Sequence, residues 1–297
     1  MCGSGLKRCH PREGEDLLDC SKRILTCVRM MTHNSHLTPH TSQLTPHTSH
    51  LTTHNSQLTT HNSQLLPMLS GSIKLKFKPY GTSVLGAPLL YFPCKGACRL
   101  LVMAGIHGEE PETIFLLSRA LRAFGDNLES IAFILCANPD GVTLGTRGNA
   151  NGVDLNRNFP TENWSVAPVR SRSILEAERN MELSTGAAPA SEPETSALIQ
   201  LVDTLVPQAV VALHSPIGCI DAPEETPLVK NLQAVFNVPY VKDIGYKTPG
   251  SFGTWCKERN LECVTVELPR LAPELLYERY GLSFAEFLKK YPGTQPG

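Results

Sequence analysis

The chain has no run of roughly 18 to 20 apolar residues that could span a bilayer, and its opening stretch, MCGSGLKRCHPREGEDLLDC, lacks the apolar core of a secretory signal. These absences predict a soluble, intracellular, cytoplasmic protein with no membrane partner. Neither sign of charge is in excess: 27 Lys and Arg stand against 28 Asp and Glu, giving a net charge of -1. No global field attracts nucleic acid, so none is expected as a partner, and any charged ligand must be recognised locally. The ten cysteines include no pair of close knuckles. Cys2, Cys9, Cys20 and Cys27 sit six residues apart in two pairs, and Cys94 and Cys98 have no second pair to complete a structural zinc site. Spread along a chain without an export signal, they are expected as free thiols.

What is present falls into two regions. From His33 a strict seven-residue repeat runs HNSHLTP HTSQLTP HTSHLTT HNSQLTT HNSQLLP. Only one position per repeat is apolar (Leu37, Leu44, Leu51, Leu58, Leu65), and Pro39 and Pro46 interrupt, so a coiled-coil seam is excluded. Five leucines cannot offset the ordering entropy of so polar a segment, and residues 1–70 are expected to be a disordered low-complexity tail. Its histidines recur in phase (His33, His40, His47, His54, His61), which leaves open a non-enzymatic reading, a metal-binding protein whose tail is the active part.

Residues 71–297 read as one folded domain, and 41% hydrophobic content in the chain is enough for a sizeable core. IKLKF and PLLYF are expected as meander strands about Gly81 and Gly86, RLLVMAGI as a strand and PETIFLLSRALRAF as an amphipathic helix opened by Pro111. IAFILCAN reads as a strand closed by the turn NPDG. A polar loop follows from Gly141 to about Ser173, of the long kind that usually carries function. SEPETSALIQLVDTLV then reads as a helix with Ser191 and Glu194 in capping-box spacing. QAVVALH and CVTVEL read as strands, ETPLVKNLQAVF and GSFGTWCKERN as helices, and APELLYERYGLSFAEFLKKY as one or two helices. Strands alternating with helices imply an α/β domain with a mixed, mostly parallel sheet covered by helices on both faces.

Three apolar runs end in chemistry: LLVMAGIH at His107, AVVALH at His214 and CVTVE at Glu267. Ligands of open α/β sheets sit outside the carboxyl ends of the strands, where these side chains could converge. His107 and His214 are the domain's only histidines, and both fall at strand ends. His107 and Glu110, spaced H-x-x-E, can grip one ion, whereas Glu109 is a residue off that geometry and is expected to point elsewhere. With His214 they form a two-histidine, one-carboxylate set suited to one Zn2+ per chain with an open fourth position, the mark of a catalytic rather than a structural site. Glu267 is the candidate general base, shuttling a proton from an activated water to a leaving amine; the competing reading of Glu267 is a strand-end salt bridge, as with Arg270. Arg147 and Arg157, set among asparagines in GTRGNANGVDLNRNFP, suit an acidic substrate: one arginine for its carboxylate, the other for an oxyanion.

HGEE, NPDG, GVDLNRNFP, SEPET, ALHS and VEL, in that order, resemble the zinc carboxypeptidase family over roughly Tyr80 to Tyr291. NANGVDLNRNFP and PGSFGTWC resemble its bacterial murein peptide amidase branch in particular. The resemblance implies a zinc-carboxypeptidase-like fold, His107, Glu110 and His214 as zinc ligands and Glu267 as general base. It further implies Arg147 as oxyanion stabiliser and Asn156 with Arg157 as binders of the substrate's terminal carboxylate. It implies hydrolysis of the γ-D-glutamyl-meso-diaminopimelate bond of a small acidic murein tripeptide in cell-wall recycling. The enzymatic alternative is a carboxypeptidase or acyl-amino-acid deacylase acting on another acidic substrate. One departure stands out: digestive members carry a mobile tyrosine shortly before the catalytic glutamate, SFGTWC has none, and Tyr246 lies nearby but off the matching place. Oligomeric state is not legible.

Overall fold

The computed structural model describes residues 76–124, 129–173 and 179–291. The seven-residue repeats, their histidines and the tail expected over 1–70 lie outside the described residues. The first strands are β1 (Lys78–Thr82) and β2 (Pro88–Tyr91), an antiparallel pair, followed by β3 (Leu100–Met103). Of IKLKF, expected as a strand, residues 73–75 lie outside the described residues, and Lys76 and Phe77 precede β1, which starts at Lys78. Helix α1 (Pro111–Phe124) coincides with the predicted span, and β4 (Ile131–Ile134) follows.

The NPDG turn is instead the start of a helix, α2 (Pro139–Leu144). Asn138 caps it by accepting the Gly141 N–H, and Pro139 occupies the first turn, where a missing N–H costs nothing. The long loop after it holds a single 3-10 turn, Leu155–Arg157, and ends in a polar hairpin of β5 (Val169–Ser173) with β6 (Arg179–Leu183). Helix α3 (Pro193–Leu205) has Glu192 at its N-cap, not Ser191, and no side chain caps it. The capping box is overturned because its members have tertiary partners: the Ser191 hydroxyl bonds Glu192, and Glu194 accepts from Asn149 and the Val84 N–H.

The chain continues through β7 (Ala209–His214), β8 (Ile217–Asp221), α4 (Pro227–Phe236), β9 (Tyr240–Val241), α5 (Phe252–Glu258) and β10 (Glu262–Pro269). It closes with α6 (Pro273–Leu276), a π turn and α7 (Leu282–Lys290), a continuous helical run matching the last predicted segment.

The main sheet has the order β4-β3-β7-β10-β8-β9, and only the β10–β8 pair is antiparallel, so the mixed, mostly parallel sheet is as expected. Strand alternation sends Leu100, Val102, Val211, Leu213, Val264 and Val266 to one face, under helices α1, α4 and α7. Leu101, Met103, Val210, Ala212 and Cys263 point to the other, where α3, α5 and Phe159 cover them. Both faces are therefore dry, and each fully buried Leu, Val or Phe contributes about 1.5–3 kcal/mol relative to exposure. Among the described residues no helix is long and apolar enough to cross a membrane.

Candidate active site

Strands β3, β7 and β10 lie side by side in parallel register, with Ala209 opposite both Leu100 and Glu262, so their carboxyl ends open on one edge of the sheet. His214 ends β7 and is the register partner of Glu267 on β10. Both continue the face carrying Ala212 and Cys263, beyond the point where apolar packing stops. His107 follows β3 through a turn at Gly105, whose φ of +65° favours glycine. Gly108 then lets this loop press against α2: a Cβ there would stand 2.0 Å from the Gly141 carbonyl carbon. Glu110 immediately precedes α1.

The three groups meet. His107 Nδ1 lies 2.8 Å from Glu110 Oε1, and His214 Nδ1 lies 3.2 Å from Glu110 Oε2. The imidazole centroids are 4.8 Å apart. One donor atom from each of the three residues lies within 4.8 Å of the others, and all three side chains are buried. Burial works against ionised Glu110, but the two imidazoles overcome it and hold its carboxyl below the usual carboxylate range. Burial and the Arg147 guanidinium oppose a charged His107, yet Glu110 and Asp154 prevail and its pKa is raised. The donor chemistry fits zinc: two imidazole nitrogens and a carboxylate, with His107 Nδ1 turned to the cluster because Asp154 Oδ1 takes Nε2 at 3.2 Å.

Asp154 is a functional residue that the sequence reading passed over. It is buried and also accepts the Asn156 N–H at 2.9 Å and Arg147 Nε at 3.1 Å. Its signal was available, because an acid between Val153 and Leu155 in a polar loop implies a buried carboxylate that must be paired. Burial opposes its ionisation, but Arg147 and His107 hold its pKa well below the ordinary value. Arg147 reaches Glu110 at 3.3 Å and Glu109 at 3.4 Å through the same Nη1. Glu109 is not one of the three clustered donor residues, and its Oε2 is buried without a partner. A second pair passed over is Glu112 with Ser215, joined by a short hydrogen bond from the Ser215 hydroxyl; the Ser215 N–H bonds Glu110 Oε2 at 3.3 Å.

Arg157 is buried and its side chain makes one hydrogen bond, to the Asn156 carbonyl at 2.6 Å, with no carboxylate paired to it among the described residues. Burial, with Asp154 opposing and Arg147 reinforcing, lowers its pKa. The Asn156 Oδ1 accepts the Phe252 N–H at 2.8 Å, which locks the 3-10 turn to the start of α5. Glu267 is 8% exposed, and its Oε2 has no hydrogen-bond partner. No ion pair joins it to Arg270 among the described residues, so the strand-end salt bridge is not formed. Burial pushes its carboxyl up to about 7, with His214 opposing and Glu110 reinforcing the shift. Tyr246, set aside by the sequence reading, is 38% exposed; partial burial raises its phenol to about 12, with the Glu267 charge adding to the shift and Arg157 and Arg147 opposing it.

Comparison with known proteins agrees with this geometry. The family profile of the zinc carboxypeptidases matches residues 95–220. Murein peptide amidase A of Escherichia coli K12 is 46% identical over 217 residues, covering 72% of this chain and 89% of the relative. Murein peptide amidase A of Vibrio campbellii is 46% identical over 216 residues, covering 72% and 87%. The crystal structure of murein-tripeptide amidase from Escherichia coli O157 superposes with a TM-score of 0.71 at 42% identity, over 76% of this chain and 95% of that one. The carboxypeptidase A of Helicoverpa armigera, 16% identical with a TM-score of 0.55 over 92% of this chain and 78% of its own, shares the fold.

Proposed function

Because the chain belongs to the zinc carboxypeptidase family, we propose that it hydrolyses the γ-D-glutamyl-meso-diaminopimelate amide bond of murein tripeptide in the cytoplasm, as a step of cell-wall peptide recycling. It is a hydrolase of peptide or amide bonds, and zinc is its cofactor. The observation that carries the site is the meeting of His107, Glu110 and His214 within 4.8 Å, beside a buried Glu267 on the neighbouring strand whose Oε2 has no hydrogen-bond partner.

His107, Glu110 and His214 hold one zinc ion per chain. When bound, the ion polarises the scissile carbonyl and makes water a nucleophile near neutral pH. Asp154 fixes the His107 tautomer by accepting from Nε2, which raises the basicity of the liganding nitrogen. Glu267, with a carboxyl near neutrality, takes the water's proton and delivers it to the leaving amine. Arg147 spends Nε and Nη1 on carboxylates, which aims its guanidinium and leaves Nη2 to meet charge developing on the substrate carbonyl oxygen. Arg157, a buried cation without a carboxylate, receives the substrate's terminal carboxylate together with the Asn156 amide.

The test is turnover of L-Ala-γ-D-Glu-meso-diaminopimelate by the purified, zinc-loaded chain, beside a panel of ordinary peptides. Release of diaminopimelate, lost on chelation and restored by zinc, is the expected result. Cleavage confined to ordinary peptides would defeat the murein assignment while leaving the zinc hydrolase in place. Deleting the residues up to about Leu69 should leave zinc content near one per chain; its collapse would favour the histidine-tail reading.

A further inference from the structure

Strand β8 runs antiparallel to β10, with Cys219 opposite Glu267 and Asp221 opposite Thr265. Directly opposed residues share a face of the sheet, and alternation carries Ile220 and Ala222 into the core on the other side. Asp221 therefore lies on the same face as Glu267, displaced along the strand from the base. Electrostatics agrees, since the Cys219 thiol, raised chiefly by burial, is raised further by Glu267 and Asp221 together.

Asp221 is half-buried, and no hydrogen bond or ion pair engages its carboxylate among the described residues. Its charged neighbours are Asp243, which repels it, and His214, which belongs to the ligand cluster. Burial first, and then Asp243, push its carboxyl up to about 6. The Tyr246 phenol feels the charges of Glu267, Arg157 and Asp221 together, in keeping with the strand register that sets Asp221 on the face of the base. Helix α5, packed on this face through Phe252 and Trp255, has glycine at 253, where a Cβ would meet nothing within 4 Å.

We propose that Asp221 selects the leaving residue, pairing with an ammonium at the far end of its side chain while Arg157 holds its carboxylate and Glu267 protonates its amine. The inference rests on the hydrolase reading of the site and specifies the leaving residue within it. An aliphatic side chain would bury Asp221 unpaired, and a purely anionic one would be repelled by Asp221 and Asp243. Diaminopimelate, with its second ammonium, meets the requirement; so does lysine.

The experiment compares kcat/KM of the zinc-loaded chain on L-Ala-γ-D-Glu-meso-diaminopimelate and on the same tripeptide ending in L-2-aminopimelate, which lacks only the far ammonium. The native protein is expected to prefer the former by about tenfold or more, the size of one charge-assisted contact. Asp221→Asn should bring the ratio to within about twofold of unity, chiefly by loss on the diaminopimelate substrate, and Asp221→Glu should restore part of the preference. A ratio unchanged in Asp221→Asn, or an equal fall on both substrates, would overturn the assignment, the second outcome being that of a merely structural residue. If neither γ-D-glutamyl substrate is cut, the murein reading fails by itself. Peptides ending in lysine and norleucine then decide Asp221: a lysine preference lost in Asp221→Asn sustains the proposal, and no preference in either pair refutes it.

Discussion

On the His107 side of the site His107, Glu109, Glu110, Arg147 and Asp154 each have an ion-pair partner, and Glu109 Oε2 is the one buried oxygen there left over among the described residues. Asp154 holds an imidazole nitrogen, a guanidinium nitrogen and a backbone N–H, and Arg147 spans Asp154, Glu109 and Glu110. On the β10 side Glu267 keeps an oxygen with no partner, the Arg157 side chain has a single carbonyl contact, and Asp221 has no hydrogen bond or ion pair among the described residues. The two arginines make the contrast sharp, since among the described residues one is ion-paired to three carboxylates and the other to none. Matched buried charges fix geometry, because moving any member exposes its partner to an apolar environment. Unmatched ones are costly unless a ligand completes them, so they mark where substrate and protons go. In the proposed mechanism the first half builds the metal site and the second does the chemistry.

Altering the unmatched side should change rate without changing metal content, and this is the largest expected effect. Glu267→Gln keeps the shape of the side chain but removes the base, so kcat should fall by about 10²–10⁴-fold with zinc stoichiometry intact. Loss of zinc in that variant would place Glu267 among the ligands instead. The native enzyme should show the matching pH dependence. Glu267 acts as a base only when ionised, so kcat/KM must rise with pH across its titration. Its carboxyl stands at about 7 without metal, and a dication nearby lowers it, so the acidic limb should end no higher than about 7. An activity that increases on acidification through that range contradicts the role.

Altering the matched side should do the reverse. Asp154→Asn removes the charge that orients His107 and balances Arg147, in a pair whose side chains are 2% and 16% exposed. Zinc affinity should weaken about 10–100-fold, measured by competition with a chelator. Breaking so buried a pair should also cost about 3 kcal/mol of stability, read from denaturant unfolding of the zinc-free protein. Zinc affinity equal to that of the native chain would show that Asp154 is not the histidine's anchor.

The same division explains what could be read from the sequence. The ligand set and Glu267 were legible because each ends or follows an apolar strand, and strands buried on both faces advertise themselves as continuous apolar runs. Helix α1 was legible to the residue, from its periodicity and Pro111. Strand β8 was not: IGCID is short, sits directly after β7, and carries its one acid at the end. The placement of Asp221 on the same sheet face as Glu267 is a product of β8–β10 pairing, which local pattern does not encode. Helix α3 shows the opposite failure, in which a good local signal at Ser191 and Glu194 lost to tertiary partners on Asn149 and Val84. Asp154 was hidden in a loop whose polarity masked one buried carboxylate.

Ser215 tests how far the matched network extends past the ligands. Its hydroxyl donates to Glu112, 8% exposed, while its backbone N–H holds Glu110. Burial raises the Glu112 carboxyl and the Ser215 bond opposes that rise, so the hydroxyl is what favours the ionised form there. Ser215→Ala deletes this bond but keeps the N–H to Glu110, so zinc should still bind at one per chain. The buried carboxyl loses its donor, which should cost about 1–2 kcal/mol, or a fall in Tm of about 2–8 °C. The loss should be larger at neutral pH than in acid, where a protonated Glu112 no longer needs the donor. A Tm equal to the native value at both pH extremes would mean that the link between the start of α1 and the end of β7 is incidental, and that the rigid half of the cleft stops at the ligands themselves.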